Sequence, residues 1–376
     1  MKIFNTVIAV FVFFGSIYAE VLTFDVQDKK AQQAIKDLYN MNYRESNRLF
    51  QEILENEPFH PLAPIGAVAT QWLYNQQREG YEIGNKKLLD EIGSALNIYK
   101  RQIIIQPDNA ELPFYYGTTM GLKSRILLAE KNWVGVLISG YNCMRYIKRS
   151  EKLNSEFWDV YLPLGVFNYY VGISASYMKV ASWIMRESGS KEEGLKQMTL
   201  SARNNGYGRY EARGILAFVY LYMEDDYIAS LEFSTMLTDE FPANPYYHFL
   251  SAEALISLHQ YKEADMCIDK IRNLLPILKD NMRKEYILKL HLLDGSTALY
   301  KKDLIIAERE LKSVIDSYDL EMDWHLSYAY MRLGNVHDLL GRREEAVEYY
   351  MKAVKLNNRA SACKWSKKYL KEPYSD

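Results

Sequence analysis

The chain has few of the residues that interrupt secondary structure or form disulfide bonds. Its 376 residues include only 3 cysteines, 10 prolines and 19 glycines. Cys143, Cys267 and Cys363 are too far apart to form the disulfide framework of a small secreted domain, and we interpret them as core residues. Scarce proline and glycine are typical of a folded chain with few long loops. Clear strand patterns are also hard to find, so the sequence predicts an almost entirely α-helical protein.

A strong charge of either sign is missing as well. The chain has 46 basic and 48 acidic residues, which give a formal net charge of -2. Affinity for nucleic acid depends largely on neutralising phosphates, so the composition gives no reason to expect a nucleic-acid partner. Lys364, Lys367, Lys368 and Lys371 fit the solvated face of a capping helix, which we predict over residues 359–371.

Recognisable motifs for catalysis or cofactor binding are missing too. Residues 189–196 read GSKEEGLK, but Leu195 stands where a phosphate-binding loop needs lysine, and we interpret the segment as a loop between two helices. The six histidines have no ligand-like spacing, and no serine lies in a nucleophile elbow. We therefore predict a protein that is not an enzyme and that has no catalytic, cofactor-binding or metal-binding residues.

The first nineteen residues have the pattern of a secretory signal. A positive start at Lys2 is followed by a mostly apolar run to Ile17, and Ala19 provides a small residue for cleavage. The apolar run is shorter than the ~20 residues needed to span a bilayer, so we expect cleavage after Ala19 rather than a retained anchor. No cysteine follows directly, which argues against a lipoprotein. We expect an exported protein of the periplasm or cell envelope.

A repeated spacing organises the rest of the chain. In four places a large apolar residue lies three positions before a small residue, and a proline lies twelve positions after that small residue. The small side chain lets two antiparallel helices approach closely, the large residue is expected at the start of the second helix, and the proline ends that helix. The four sets are Tyr43/Ser46/Pro58, Ile92/Ala95/Pro107, Tyr227/Ser230/Pro242 and Tyr261/Ala264/Pro276.

The C-terminal part of the chain has the most specific form of this pattern, at signature offsets of the tetratricopeptide repeat family. The preceding segment has Gly295, Ala307 and Leu311, with Leu304 where tyrosine is usual. The chain therefore resembles that family, and in particular its exported bacterial members, over about residues 25–369. The resemblance implies an all-α, right-handed superhelical solenoid of helix pairs. The signature residues are Leu333, Gly334, Gly341, Ala346, Tyr350 and Ala353.

We predict a single solenoid over residues 20–376. The signature fades over about residues 111–207, where we expect degenerate units whose number stays open. The clearest repeats are expected at about residues 27–60, 62–109, 211–244, 245–278, 288–320 and 327–360.

In the family that the chain resembles, positions 2, 5, 9 and 12 of each first helix line a concave groove. Carried onto the three clearest units, these positions are mostly apolar and suit an amphipathic helix or an extended peptide. Met331 stands where the family's clamp for C-terminal carboxylates uses lysine, so such a tail is not the expected ligand. The same aromatic residues could instead pack on neighbouring helices. The predicted partner-binding residues are Ile215, Tyr222, Tyr246, Phe249, Glu253, Tyr328, Met331 and Asn335.

We therefore expect a non-enzymatic scaffold of the cell envelope that binds a protein or peptide partner in an apolar concave groove. The alternative is a glycan or small-molecule receptor component of the outer membrane, although such relatives are typically larger and lipid-anchored. Self-association through the N-terminal side and peripheral association with a membrane complex of the envelope also stay open.

Overall fold

A computed structural model describes residues 26–130, 132–173 and 189–375 of the chain. The predicted signal, residues 1–19, lies outside this part, as does a portion of the region where degenerate repeats are expected. Every regular element in the described ranges is helical. The predicted all-α solenoid is confirmed.

The helices follow one another so that consecutive helices pack together as pairs. One short 3-10 turn, Trp158–Val160, precedes the helix that begins at Tyr161, and another, Leu275–Ile277, follows the helix that ends at Leu274. The described helices are α1 (Val26–Tyr39), α2 (Tyr43–Asn56), α3 (Ala63–Glu79), α4 (Tyr81–Ile105), α5 (Glu111–Ala129), α6 (Trp133–Leu153), α7 (Tyr161–Ile173), α8 (Lys191–Arg203), α9 (Gly208–Tyr222), α10 (Tyr227–Glu240), α11 (Pro245–Ser257), α12 (Tyr261–Leu274), α13 (Asp280–Tyr300), α14 (Leu304–Asp316), α15 (Trp324–Leu339), α16 (Arg343–Leu356) and α17 (Ser361–Tyr369).

The helices divide into two compact units, with the division between Ile215 and Leu216 inside α9. The N-terminal unit contains α1 to α8 and the first half of α9. The C-terminal unit contains the second half of α9 and extends through α17. A single continuous solenoid over the whole chain stays a prediction.

The small residues of the repeated motif lie where the two helices of a pair touch. Ser46 in α2 and Ser230 in α10 are fully buried. Their hydroxyls donate to the carbonyl oxygens of Ala34 (2.7 Å) and Ala217 (2.8 Å) on the first helix of the same pair. A larger side chain has no room at this contact, because the two backbones are within hydrogen-bonding reach of a serine side chain.

The prolines of the motif lie just beyond the second helices, where a missing N–H and a fixed φ do no harm. One second helix starts earlier than the motif predicts. Gly80 has φ of 87° and lets the chain turn within one residue between α3 and α4. As a result Ile92 lies in the middle of α4 instead of at its start. The prolines are Pro58 after α2, Pro107 after α4, Pro242 after α10 and Pro276 in the turn after α12.

The segment of residues 189–196 was interpreted from the sequence as a loop, and this interpretation is wrong. The Ser190 hydroxyl oxygen accepts a hydrogen bond from the Glu193 N–H (3.3 Å) and caps the start of α8. Gly194 therefore lies inside a helix, where it meets α7. A Cβ atom on Gly194 would lie 2.4 Å from the backbone nitrogen of Tyr169 and 2.7 Å from the carbonyl oxygen of Gly165. The region with a faded signature thus contains a closely packed helix pair.

Candidate functional site

The first helices of the C-terminal unit meet on their inner side. The Tyr328 hydroxyl of α15 donates to the carbonyl oxygen of Tyr222 at the end of α9 (3.4 Å). The Trp365 indole N–H of α17 donates to the carboxylate of Asp225, just after α9 (3.2 Å). Helices from the two ends of this unit are therefore joined directly, and the side that an open solenoid exposes is a packed interior.

A buried ion pair joins α11 and α15 within this interior. The guanidinium of Arg332 donates to both carboxylate oxygens of Glu253, at 2.9 and 2.7 Å. The two side chains are 2% and 0% exposed. The Arg332 guanidinium carbon also lies 5.1 Å from the ring centre of Tyr328. Bidentate geometry makes this contact strong, but each charge depends on the other because neither reaches water.

A second cation in the interior is surrounded by aromatic rings. The ammonium nitrogen of Lys289 in α13 lies 2.6 Å from the carboxylate of Glu285. It also lies 4.7 Å from the ring centre of Tyr286 and 5.2 Å from those of Tyr246 and Phe249. An ammonium group over aromatic faces is stabilised by the ring quadrupoles. Two residues predicted to line a groove for a partner thus contact a cation of the chain itself.

His325 packs against the same aromatic cluster. Its ring centre lies 5.2 Å from that of Phe249 and 5.8 Å from that of Tyr222, with the rings steeply inclined. Burial, reinforced by the nearby charges of Lys289 and Arg332, lowers the pKa of His325 well below its ordinary value. The imidazole is therefore neutral at neutral pH. We refer to Tyr222, Tyr246, Phe249, Glu253, Lys289, His325, Tyr328 and Arg332 as the inner cluster.

The last complete helix pair carries a sequence match as well as this geometry. Residues 327–359, which cover most of α15 and α16, match the family model "Tetratricopeptide repeat". Over these residues the chain is similar to a tetratricopeptide repeat. Its signature glycine has a clear structural cause, because a Cβ atom on Gly334 would lie 2.4 Å from a ring carbon of Tyr350. The ring of the second helix packs directly on the backbone of the first.

Solved helical structures resemble the whole chain only loosely. The human IFIT1 dimer with m7Gppp-AAAA has a TM-score of 0.42 at 12% identity, covering 93% of this chain and 86% of that chain. Yeast Tom70 has a TM-score of 0.39 at 12% identity, covering 92% and 81%. The P58(IPK) TPR domain has a TM-score of 0.26 at 10% identity, covering 93% and 99%. No curated protein sequence matches the chain.

The predicted partner-binding residues are mostly buried, including the three in the segment that matches the tetratricopeptide repeat model. Tyr246 is half-buried, and the buried ones are Ile215, Tyr222, Phe249, Glu253, Tyr328, Met331 and Asn335. Ile215 belongs to the N-terminal unit. Asn335 lies further along α15, where its side-chain oxygen accepts a hydrogen bond from the Tyr350 hydroxyl (2.9 Å). Five of the eight residues come together in the inner cluster, and their role in binding a partner stays a prediction.

Sequence reasoning did not select Lys289, His325 or Arg332. A signal for two of them was present, because a charged residue among apolar neighbours in a helix rarely becomes buried without a partner. Arg332 interrupts an otherwise apolar run at residues 328–333, in the segment that matches the repeat model. Lys289 lies between two leucines. Glu253, which was selected, is the charge that Arg332 needs.

Other chemistry has little support in the described ranges. They contain no group of three or more histidine, cysteine, aspartate or glutamate residues placed to hold a metal ion. None of their helices is long and apolar enough to cross a membrane. Burial raises the pKa of the Cys143 thiol to about 12, so this residue is not a thiolate nucleophile near neutral pH.

We expect acid to destabilise the C-terminal unit through His325. Its pKa in the folded chain lies below the ordinary value of 6.5, so the unfolded chain takes up the proton first and stability falls as the pH drops below about 6.5. Each further pH unit costs up to about 1.4 kcal/mol until the folded pKa is reached. Urea unfolding of the parent and of His325→Phe at pH 7.5, 6.0 and 5.0 measures this loss.

The phenylalanine variant should lose about 1–2 kcal/mol less than the parent between pH 7.5 and pH 5.0. Carboxylates that titrate in the same range contribute equally to both chains and cancel in the comparison. Identical pH dependence of the two unfolding free energies would show that His325 does not stay neutral in the folded chain.

Proposed function

We propose that the chain is a non-enzymatic protein–protein interaction scaffold of the cell envelope. Its partner, a protein or a peptide, binds at the open edge of the inner cluster in the C-terminal unit. Two observations from the sequence support this role: the chain has the signal pattern of an exported protein, and it lacks a recognisable catalytic motif. The tetratricopeptide repeat at residues 327–359 supports a binding role of the kind that stacked helix pairs serve.

The observation that carries the proposal is the position of Tyr246. It is the half-buried member of an otherwise buried aromatic cluster, and the ammonium group of Lys289 lies 5.2 Å from its ring. An aromatic ring fixed at an edge by packing and by a cation is a rigid contact for an incoming side chain. A partner that enters further has to separate Glu253 from Arg332, which is costly. We therefore place the contact at Tyr246 and treat the buried members as its support.

The test is capture of partners from the native envelope fraction by the full chain and by Tyr246→Glu. A charge at this position should reduce the recovery of a specific partner at least ten-fold, while far-UV circular dichroism shows that the helices are retained. Phe249 and Tyr328 are poor choices for this experiment, because truncating buried aromatic residues costs about 3–5 kcal/mol of folding free energy.

The matched control is Tyr330→Glu. Tyr330 is also half-buried and lies in the same unit, but it stacks on Tyr349 of α16 outside the inner cluster. We expect this control to capture the same partner as the parent chain. Equal capture by Tyr246→Glu and the parent would remove the inner cluster as the binding site.

A further inference from the structure

Helix α6 of the N-terminal unit has two faces of different character, and one of them packs on α5. Val136, Cys143 and Ile147 are buried on this inner face. The Ser124 hydroxyl of α5 donates to the carbonyl oxygen of Val136 (3.1 Å), and a Cβ atom on Gly117 would lie 3.0 Å from the end of the Ile147 side chain. The helix is therefore held firmly by its own pair.

The opposite face carries large apolar side chains that are open to solvent. Val134, Leu137, Ile138 and Tyr141 are 69%, 49%, 57% and 47% exposed. Their spacing of three, four and seven positions puts them on one side of a helix, and at about 100° per residue this side points away from the buried face. We call these four residues the α6 stripe.

Basic residues continue the same side of the helix toward its C-terminus. Arg145 and Lys152 are exposed, and Lys148 and Arg149 between them are half-buried. The Arg149 guanidinium donates to the carbonyl oxygen of Pro107 (3.0 Å). No ion pair involving Arg145 or Lys152 is found within the described ranges. The outer side of α6 is thus apolar in its first half and basic in its second half.

Other second helices carry exposed apolar side chains singly or as an adjacent pair, such as Ile228 on α10 and Ile305 with Ile306 on α14, and not as a stripe of four. On α2, Arg48 forms ion pairs with Glu45 (2.6 Å) and Glu52 (3.0 Å). On α10 the outer side carries Glu232 and Asp239. In addition, α6 touches the next helix, α7, only slightly, whereas α2 packs closely on α3. A continuous exposed apolar surface on a folded protein is a mark of an interaction site.

We propose that the α6 stripe and the basic residues after it bind an acidic amphipathic helix of a partner protein. The apolar half of that helix covers the α6 stripe, and its acidic half pairs with Arg145 and Lys152. A helix of about 18 residues spans this distance at ~1.5 Å per residue. This surface lies in the N-terminal unit and is separate from the contact proposed at Tyr246.

Charge and area favour this partner over a second copy of the chain. Four side chains present a few hundred Å² of apolar surface, less than the roughly 800 Å² that each side of a stable complex buries. The basic half therefore has to contribute. Two α6 helices side by side in parallel would bring like charges together, and an antiparallel pair would leave these basic residues outside the contact.

The order of the residues also favours a protein partner over a membrane surface. A helix that lies in a membrane interface has an apolar face along its whole length, with basic residues on the opposite face or its borders. In α6 the apolar and basic residues follow one another along the same side. This arrangement matches a helix whose own character changes from apolar to acidic.

The test uses the full chain and three fluorescent 18-residue helical peptides. In two peptides, one face of the helix carries leucine in one half and glutamate in the other half. One of these peptides has leucine in its N-terminal half, and the other has leucine in its C-terminal half. The third carries lysine in place of glutamate. Binding is measured by fluorescence anisotropy in about 50 mM NaCl, because charges are only weakly screened at this ionic strength. We expect one acidic peptide to bind at least ten-fold more tightly than the lysine peptide. The affinity of this acidic peptide should fall in about 500 mM NaCl.

Two variants of α6 should each lose at least ten-fold in affinity for that peptide. One is Leu137→Ser with Ile138→Ser, and the other is Arg145→Glu with Lys152→Glu. The matched control is Ile305→Ser with Ile306→Ser on α14, which also removes two adjacent exposed isoleucines, 81% and 37% exposed. This control should bind the peptide like the parent.

Several results would overturn the proposal. They are failure of all peptides to bind, equal binding of the acidic and lysine peptides, and unchanged affinity in both α6 variants. A dimer in light scattering that is lost with Leu137→Ser/Ile138→Ser would assign the surface to a second copy. Flotation of the parent, but not of that variant, with vesicles containing phosphatidylserine would assign it to a membrane.

Discussion

Replacing Arg332 with leucine is expected to destabilise the C-terminal unit by about 3–5 kcal/mol. The substitution leaves the fully buried carboxylate of Glu253 without its counter-charge and without two hydrogen bonds of 2.9 and 2.7 Å. The carboxylate must then lose its charge or draw in water, and either response costs folding free energy. Urea unfolding followed by far-UV circular dichroism at pH 7 measures the loss.

Removing both charges should be far less harmful than removing one. Glu253→Leu combined with Arg332→Leu replaces a buried ion pair by apolar side chains, a change that is often nearly neutral. The exposed pair of Arg272 and Asp294 (2.8 Å) provides the control, and Arg272→Leu should cost at most about 1 kcal/mol. If Arg332→Leu were as mild as Arg272→Leu, or if the double variant were no more stable than the single one, the pair would not be the buried support that the geometry indicates.

Local parts of the fold could be predicted because their causes are local. The contact of Ser46 with Ala34 joins residues twelve positions apart, and the equivalent contact of Ser230 with Ala217 joins residues thirteen positions apart. The proline that ends a second helix acts through its own ring and the missing N–H. Such features depend on neighbours within one repeat, so a repeated spacing is enough to reveal them.

The inner cluster could be predicted only in part because it depends on how the repeats curve. Glu253 and Arg332 are 79 positions apart and meet only because small rotations between successive helix pairs bring α11 and α15 together. The family offsets that selected Tyr222 and Tyr328 assume first helices that are separated by an open groove. Here the same positions face each other, with the Tyr328 hydroxyl 3.4 Å from the Tyr222 carbonyl oxygen. Their place on the inner side followed from the sequence, whereas their burial depended on the curvature.

The pair formed by α7 and α8 shows a different limit. A repeat signature consists of the residues that usually allow two helices to pack closely. It becomes unrecognisable where different residues provide the close contact. In this pair, Gly165 and Gly194 bring the two backbones together, whereas the pairs of α1 with α2 and of α9 with α10 use a serine on the second helix. Gly194, which lies in the segment that was interpreted as a loop, is therefore part of the reason that the two helices can touch.

Substituting Gly194 by alanine is accordingly expected to destabilise the N-terminal unit by about 3 kcal/mol, at the upper end of the cost of overpacking. The added methyl group would lie 2.4 Å from the backbone nitrogen of Tyr169, and a backbone atom cannot move aside as the tip of a side chain can. The two helices must separate, and the contacts around them are lost. Thermal and urea unfolding of the full chain measure the effect.

Gly93→Ala is the matched control because it makes the same chemical change on a helix with open space. Nothing lies within 4 Å of a Cβ atom on Gly93, which is exposed in α4. Alanine there should raise stability by about 0.5–1 kcal/mol, since it reduces the backbone entropy lost on folding. The two substitutions are thus expected to have opposite signs. A stabilising effect of Gly194→Ala would mean that α7 and α8 do not pack with their backbones in contact, and an equal loss in both variants would show that the loss does not come from the contact between α7 and α8.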